Sequence, residues 1–239
     1  MVVYIYICSL NYWWDSMSYI RYFGHSSFEV MLGDTLMFID PYFALGERRK
    51  YPSARKDVHD VKRCDLILLT HEHFDHCEPA TVAEIAERTF ATVVGPKPAL
   101  AEIRIPEKLK VDVKVGDMFQ LKGVNIDVVQ AVHPQSAYPV GYVLEADGKR
   151  IYAAGDTYEF SGMMNISCDW ALIPIGGTYT MDIIGAEKAA REIKASRFIP
   201  THYATFDNID VDPNEFAKAL AGDPKKKAVV MKFGEKIEI

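Results

Sequence analysis

Seven consecutive residues in the first third of the chain hold three histidines and one aspartate that could bind metal ions. The segment runs from Thr70 to His76, and its candidate ligands are His71, His73, Asp75 and His76. It directly follows the apolar run DLILLT, which predicts a strand buried on both faces. Neutral imidazole and carboxylate suit zinc, manganese or iron, and a rigid strand end holds such ligands in place. We therefore predict a metal site at the end of this strand.

The spacing within the segment indicates that one strand end serves two metal ions. In a period of two residues, His71 and His73 point the same way. Asp75 and His76 are consecutive, so their side chains diverge as the chain turns toward a helix predicted to begin at Pro79.

Three further candidate ligands follow other predicted strands. His133 comes after VNIDVVQAV, Asp156 comes after RIYAA in the turn AGDT, and His202 comes after RFIPT. Each is weak evidence alone, because a single histidine at a strand end is more often structural and a Gly-Asp-Thr sequence is usually a turn. Their meaning depends on their occurring together, in this order, after the histidine-rich segment.

The composition is that of an ordinary globular protein. A chain of 239 residues predicts one large domain, and 49% apolar with 25% charged residues exclude a disordered or fibrous chain. The net charge of −6 and a pI near 5.7 provide no overall attraction for nucleic acid or for an anionic membrane. Four cysteines without a C-x-x-C pair argue against a disulfide scaffold and a thiolate zinc site, and a reducing cytoplasm is the expected location.

The start of the chain leaves two interpretations open. Residues 1–18 contain neither a membrane-length apolar run nor the features of a secretory signal. Either translation begins at Met17, or these residues form an extra edge strand or an arm that covers an apolar surface. A single domain is expected to span residues 19–239.

The remaining pattern predicts two blocks of strands, each followed by helices. The first block is a meander of YIRYF, SSFEVML and TLMFIDP, continued by DLILLT and TVVG, with helices from Pro79 to about Arg88 and over KPALAEI. The second is a series of hairpins formed by VDVKV, MFQL, VNIDVVQAV, YPVGYVLEA and KRIYAAG. The last third predicts WALIPI and RFIP as strands, helices at 186–194 and 213–221, and a closing hairpin of AVVMKF and KIEI. Two sheets packed face to face with helices outside would satisfy this order.

The ordered set H-x-H-x-D-H, His133, Asp156 and His202 resembles the metallo-β-lactamase-fold superfamily of metal-dependent hydrolases. The resemblance covers the chain from about Tyr19 to its end. Further matches are similar to the branch that contains the ascorbate-6-phosphate lactonase-like proteins. These matches are Gly24-His25-Ser26-Ser27-Phe28, Asp40-Pro41, Gly176-Gly177 before Thr180-Met181-Asp182, and Thr201-His202-Tyr203.

This resemblance implies an α/β (α+β) fold, a four-layer αββα sandwich with two mixed sheets and helices on both outer faces. It also implies two divalent metal ions, zinc first, with manganese or iron as alternatives. The implied ligands are His71, His73 and His133 for one metal, Asp75, His76 and His202 for the other, and Asp156 as a bridge between them. Cys77 follows the last ligand of the segment, and we interpret it as a core residue rather than a sulfur ligand.

Two such cations would supply a hydroxide that attacks a carbonyl or phosphoryl centre. Asp75 is expected to bind metal first and also to orient or accept the proton of the water. For His25 two roles are open, either the acid that protonates the leaving group or a structural histidine hydrogen-bonded to a ligand. Asp182 either fixes a ligand histidine or caps the next helix, and Tyr203 is a further candidate beside the ligands.

The expected reaction is hydrolysis of a small-molecule ester, lactone or phosphodiester. A loop predicted at residues 42–60 carries five cationic side chains, which would favour an anionic substrate if the loop covers the site. Alternative hypotheses are a nucleic-acid phosphodiesterase and a di-iron redox protein of similar fold, but no nucleic acid and no membrane are favoured as partners. Whether the chain forms a homo-oligomer is left open.

Overall fold

The computed structural model describes residues 18–43 and 57–239, and in this part of the chain two seven-stranded sheets form the centre of the fold. The strands are, in chain order, β1 (Tyr19–Gly24), β2 (Ser27–Leu32), β3 (Thr35–Ile39), β4 (Leu66–Leu68), β5 (Thr92–Gly95), β6 (Lys110–Asp112), β7 (Met118–Leu121), β8 (Val124–Gln130), β9 (Val140–Ala146), β10 (Lys149–Ala153), β11 (Trp170–Pro174), β12 (Arg197–Thr201), β13 (Lys227–Ala228) and β14 (Lys236–Glu238). The first sheet has the order β14-β1-β2-β3-β4-β5-β6, and the second has the order β13-β12-β11-β10-β9-β8-β7. The predicted extension at the start of the chain and the cationic side chains at 48–56 lie outside the described residues.

The helices cover the outer faces of the two sheets. They are α1 (Pro79–Thr89), α2 (Lys97–Glu102), α3 (Ile183–Glu192) and α4 (Pro213–Leu220), with 3₁₀ turns at Val58–Asp60, Glu107–Leu109, Ser161–Asn165 and Asp207–Ile209. Proline stands in the first turn of α1, α2 and α4, where its missing N–H costs nothing. No helix in the described ranges is long and apolar enough to cross a membrane.

Strand β4 shows how the layers are built. Leu66 and Leu68 point into the core between the two sheets, whereas Ile67 and Leu69 pack into a second core with Val82 and other residues of the α1–α2 side. A strand buried on both faces needs a continuous apolar run, as its sequence has. The four-layer sandwich predicted from the sequence is confirmed.

All strands that lead into the candidate site point the same way within their sheet. β1 and β3 are both antiparallel to β2, and β4 is parallel to β3. In the second sheet, β8 and β10 are both antiparallel to β9, and β10, β11 and β12 are mutually parallel. The carboxyl ends of these strands therefore meet at one edge, where the candidate ligands follow them.

Two predicted hairpins are wrong, and one helix begins earlier than predicted. VDVKV does not pair with MFQL, because β6 lies parallel to β5 in the first sheet and β7 pairs with β8 in the second. The closing hairpin is also absent, since β13 pairs with β12 and β14 pairs with β1 in the other sheet. A turn signal between two short strands looks the same whether the chain folds back or crosses to another sheet. Helix α3 begins at Ile183, three residues before the predicted start, because Asp182 caps it.

Candidate metal centre

The structure brings all seven predicted ligands and His25 together at the shared edge of the two sheets. These residues form three overlapping groups, and within each group the potential ligand atoms lie within 4.8 Å of one another. They are His71, His73 and His133; His25, Asp75, His76 and His202; and His71, His76 and Asp156. The third group joins the first two, because it shares one histidine with each.

Asp156 occupies the centre of this cluster. Its Oδ1 lies 3.2 Å from Nε2 of His76, and its Oδ2 lies 3.1 Å from Nε2 of His202 and 3.9 Å from Nε2 of His133. The carboxylate is only 3% exposed. Each of its oxygens therefore faces imidazole nitrogens rather than solvent.

His73 and His133 turn unprotonated nitrogens toward each other. Nε2 of His73 is 3.2 Å from the carbonyl oxygen of Gln135, and Nδ1 of His133 is 3.2 Å from that of Tyr179. A carbonyl can only accept, so these two ring nitrogens carry the hydrogens. Nδ1 of His73 and Nε2 of His133 then face each other as lone pairs at 3.2 Å. A cation between them removes this repulsion, and two ligands on a tetrahedral metal are separated by about 3.3 Å.

His71 and His76 are oriented in the same way by Asp40 and Thr70. Nδ1 of His76 donates to Oδ2 of Asp40 at 2.8 Å. The Thr70 hydroxyl donates to the same carboxylate at 2.6 Å and so accepts from Nδ1 of His71 at 3.0 Å. These bonds leave Nε2 as the free nitrogen of both rings. Fixing the tautomer of a ligand histidine from behind is the usual arrangement in protein metal sites.

Several buried atoms of the cluster have no hydrogen-bond partner in the described part of the chain. They are Nε2 of His71, Nε2 of His76, Nδ1 of His202 and Oδ1 of Asp156. Buried polar atoms normally have hydrogen-bond partners, and the binding of an ion is one recognised reason for an exception. Three of them, Nε2 of His71, Nε2 of His76 and Oδ1 of Asp156, belong to the group formed by these three residues. This set of donor atoms fits a divalent metal.

The protonation states of the cluster also suit a cation. Burial alone would raise the pKa of Asp156, but the neighbouring His202 and His76 rings hold it well below its usual value. Burial and the adjacent His76 ring lower the pKa of His71 well below its usual value. Burial alone would lower the pKa of His76, but the carboxylates of Asp156 and Asp40 raise it well above its usual value. The proton that these carboxylates favour on His76 balances part of their charge, and a divalent metal would take the place of that proton.

His25 is fully buried behind Asp75. Its Nε2 lies 2.8 Å from Oδ2 of Asp75, and its Nδ1 lies 2.6 Å from the hydroxyl of Thr205. Burial lowers the pKa of His25 to about 4, so the ring is neutral at neutral pH. Its one N–H then donates to the carboxylate, and its other nitrogen accepts from the threonine hydroxyl.

The backbone of the site is held in an uncommon conformation. His25, Asp40 and His202 have φ values of +57°, +43° and +55°, in the left-handed region that side chains rarely adopt. Gly176 allows the close approach of the His202 loop, since a Cβ on it would lie 2.0 Å from the His202 carbonyl oxygen. Such strain is retained at functional sites when the surrounding structure enforces it.

Glu72 fastens the loop that carries His133 to the histidine-rich segment. Its carboxylate accepts from the Ser136 hydroxyl at 2.8 Å and from the Ala137 amide at 2.6 Å. Together with the bond from His73 to Gln135, these contacts connect two loops that are distant in sequence. Glu72 therefore determines how the His133 loop lies relative to His73.

The cluster opens to solvent on one side. His73 and Asp75 are partly exposed, and Phe74 between them is 58% exposed. The other five candidate ligands are buried. A substrate would thus approach over the residues 73–75.

The remaining predicted residues have structural positions. The thiol of Cys77 is buried in the core beside α1 and α2, where it contacts the Ala99 carbonyl oxygen. Asp182 caps α3 by accepting from the Gly185 amide at 2.8 Å, which is the second of its two predicted roles. Tyr203 is buried and packs 6.3 Å from the Tyr22 ring.

Sequence reasoning did not assign a role to Asp40, Thr70 or Glu72. For Asp40 a signal existed, because an acidic residue directly after a buried strand, at the start of Asp-Pro, is an unusual place for a charge. Glu72 alternates with the ligand histidines and looks like a solvent-exposed residue. Its partners lie 64 and 65 residues further along the chain, so no local pattern reveals them.

The fold and the cluster together define a hydrolase of the metallo-β-lactamase fold. A family model described as a Beta-lactamase superfamily domain matches residues 35–203. The solved structure of the metallo hydrolase Igni18 from Ignicoccus hospitalis is 30% identical to this chain with a TM-score of 0.81, and the match covers 94% of this chain and 99% of Igni18.

Relatives with similar sequences narrow the class. A UPF0173 metal-dependent hydrolase of Thermoplasma acidophilum is 37% identical over 231 residues, covering 92% of this chain and 98% of the relative. A UPF0173 metal-dependent hydrolase of Pyrococcus abyssi is 39% identical over 236 residues, covering 92% of this chain and 99% of the relative. This chain belongs to the UPF0173 metal-dependent hydrolase family and is a metal-dependent hydrolase.

Proposed function

We propose that the site binds two divalent metal ions, with zinc as the first candidate. The ligands are His71, His73 and His133 for one ion and Asp75, His76 and His202 for the other, with Asp156 shared. The observation that carries this proposal is the position of the Asp156 carboxylate, whose oxygens lie 3.1–3.2 Å from His202 and His76 and 3.9 Å from His133. Two cations about 3.5–4 Å apart need such a shared anion.

Bound at this site, a metal pair supplies Lewis acidity and lowers the pKa of water toward neutrality. The chain's own residues determine where this chemistry occurs. Asp156 keeps both halves of the site at a fixed separation. Asp75 is the partly exposed carboxylate beside the opening, where it can orient a water molecule and take up its proton.

His25 is a positioning residue in this proposal rather than the acid for the leaving group. It is fully buried, and both ring nitrogens are already engaged, one by Asp75 and the other by Thr205. Its N–H fixes the carboxylate of Asp75 in one orientation. The proton for the leaving group then comes from Asp75 itself after it has received the water proton.

The substrate class is an ester, lactone or phosphodiester of a small molecule. In each of these, negative charge develops or is already present on the oxygen attached to the reacting centre. Such an oxygen is attracted to a cationic site, and the opening over residues 73–75 gives it access. No covalent intermediate with the protein is required, because the attacking oxygen comes from water.

A panel of substrates tests this function. Untagged protein reconstituted with Zn²⁺ is assayed with p-nitrophenyl acetate, γ-butyrolactone and bis(p-nitrophenyl) phosphate. We expect metal-dependent turnover of at least one, and loss of that turnover in His73→Ala and in Asp156→Ala. His59→Ala is the matched control, because His59 lies outside the cluster with its side chain 69% exposed. Unchanged turnover in Asp156→Ala would overturn the site assignment, and no metal-dependent turnover of any of the three would contradict the substrate class.

A further inference from the structure

A cavity lined by the segment after Asp156 and by the loop that contacts His133 has no role in the reaction proposed for the metal centre. Its volume is about 450 Å³, within the size range of small-molecule binding pockets. Its walls are the segment after Asp156, the loop before α3 and the first turns of α3. The lining includes Tyr158, Thr178, Met181 and Ile184.

The cavity shares its wall with the ligand-bearing loops. Tyr158 stands two residues after Asp156, and its hydroxyl donates to the Thr178 carbonyl oxygen at 3.3 Å. The next residue, Tyr179, accepts through its own carbonyl oxygen from Nδ1 of His133 at 3.2 Å. The same two loops therefore carry or orient proposed metal ligands and also line the cavity. A molecule whose reacting group lies at the metal centre can reach the cavity with a neighbouring group.

Large apolar side chains are exposed at this place. Ile184, in the cavity lining, is 75% exposed, and Tyr179, which is outside the lining but lies between two lining residues in sequence, is 43% exposed. The Tyr179 ring is held at its hydroxyl by the amide of Asn208 at 3.2 Å, so it is a fixed surface rather than a freely moving side chain. Fixed apolar surface next to a reaction site stabilises an apolar ligand that covers it.

The charges of the cavity do not favour an ionic ligand. Lys188 lies 3.8 Å from the carboxylate of Glu159, which offsets its charge. Asp182 uses its carboxylate to cap α3. Lys188, Glu159 and Asp182 are the charged residues of the described lining, and their net charge is −1. Neither an anionic nor a strongly cationic group has an unpaired partner here, whereas an uncharged apolar group has apolar contacts.

We propose that this cavity binds an uncharged apolar group of the substrate, an acyl or aryl chain directly attached to the ester, lactone or phosphodiester that reacts at the metal centre. The inference rests on the proposed function, and it adds that the substrate is amphipathic. The polar reacting group lies over the metals while the apolar group lies against Tyr158 and Ile184.

A pair of metal-binding probes tests the proposal without turnover. Acetohydroxamate and hexanohydroxamate carry the same chelating group and differ by four methylenes. Their Kd values for Zn²⁺-reconstituted protein are measured by isothermal titration calorimetry. We expect hexanohydroxamate to bind at least tenfold more tightly, since each fully buried methylene contributes about fourfold in affinity.

The same titrations in two variants locate the effect. Ile184→Gln should reduce the preference for the longer probe at least fivefold and leave the Kd of acetohydroxamate within twofold. The helix is retained because residue 184 lies in the exposed first turn of α3. Met164→Gln is the control, since Met164 is 54% exposed and outside the cavity lining, and it should change neither Kd.

Equal Kd values for the two probes, or a preference that Ile184→Gln leaves intact, would overturn the cavity proposal while leaving the metal centre in place. Failure of acetohydroxamate to bind would overturn the metal centre and, with it, the cavity proposal. The two failures are thus distinguishable in one set of titrations.

Discussion

The two halves of the proposed metal centre differ in what holds their candidate ligands. In the half of His71, His73 and His133, the last two rings donate to backbone carbonyls of surface loops. In the half of Asp75, His76 and His202, the first two ligands are held by side chains, His25 and Asp40, that are both 0% exposed. We refer to these as the loop-held half and the core-held half.

This difference indicates different tasks for the two halves. Buried side-chain partners in a packed core have little freedom, so the core-held half keeps its geometry. Loops on the surface are more mobile than the elements that they connect. We expect the metal of the core-held half to be the tightly bound one, and the metal of the loop-held half to exchange more readily.

Removal of the shared ligand Asp156 should have the largest effect, because it disrupts both halves of the centre at once. Asp156→Ala takes one ligand from both halves and leaves His76 and His202 without their common carboxylate. We expect the protein to retain less than one metal atom per chain and kcat/KM to fall roughly 1,000-fold or more, the loss of a two-metal reaction. Elemental analysis and steady-state kinetics measure the two effects, and a variant that retains two metals would contradict a bridging role.

Asp40→Asn should affect the core-held half more than the loop-held half, because Asp40 contacts His76 directly but reaches His71 only through the Thr70 hydroxyl. The amide that replaces Oδ2 would present hydrogens to Nδ1–H of His76, so the ring loses its acceptor or changes tautomer. Loss of a carboxylate behind a ligand histidine typically weakens metal binding 10–100-fold. Titration with a competing chelator should show this change in the tighter of two Kd values. An equal change in both would mean that the halves are not separately held.

Glu72→Ala should have a smaller effect, limited to the loop-held half. It removes the two hydrogen bonds that fasten the His133 loop, at Ser136 and Ala137. We expect the weaker of the two metal Kd values to rise about tenfold or less, because the ligands themselves remain.

A conservative variant of Glu72 tests whether its hydrogen bonds, rather than its side chain as a whole, account for the change in metal affinity. Glu72→Gln keeps an acceptor for the Ala137 amide and should restore most of the affinity lost in Glu72→Ala, measured in the same titration. A shift of the tighter Kd in either Glu72 variant would show that the loop acts on the whole centre rather than on one half.

The sequence predicted the parts of this site that local patterns encode. Each candidate ligand follows a strand whose apolar pattern is readable, and H-x-H-x-D-H is a compact motif. The partners of the ligands could not be read in this way. Asp40 and His76 are 36 residues apart, and their hydrogen bond exists only because β3 and β4 are parallel neighbours. For the same reason the destinations of β6, β13 and β14 were wrong, since short edge strands carry too little pattern to specify a sheet.

The proposed stoichiometry at this edge of the sandwich is two metal ions per chain. It is tested most directly by the metal content of untagged protein, purified without chelator and then reconstituted, measured by mass spectrometry as atoms per chain. We expect about two atoms of zinc, manganese or iron per chain, and a fall to about one after brief dialysis against a mild chelator. A content that stays near one, or near zero, after reconstitution would contradict it.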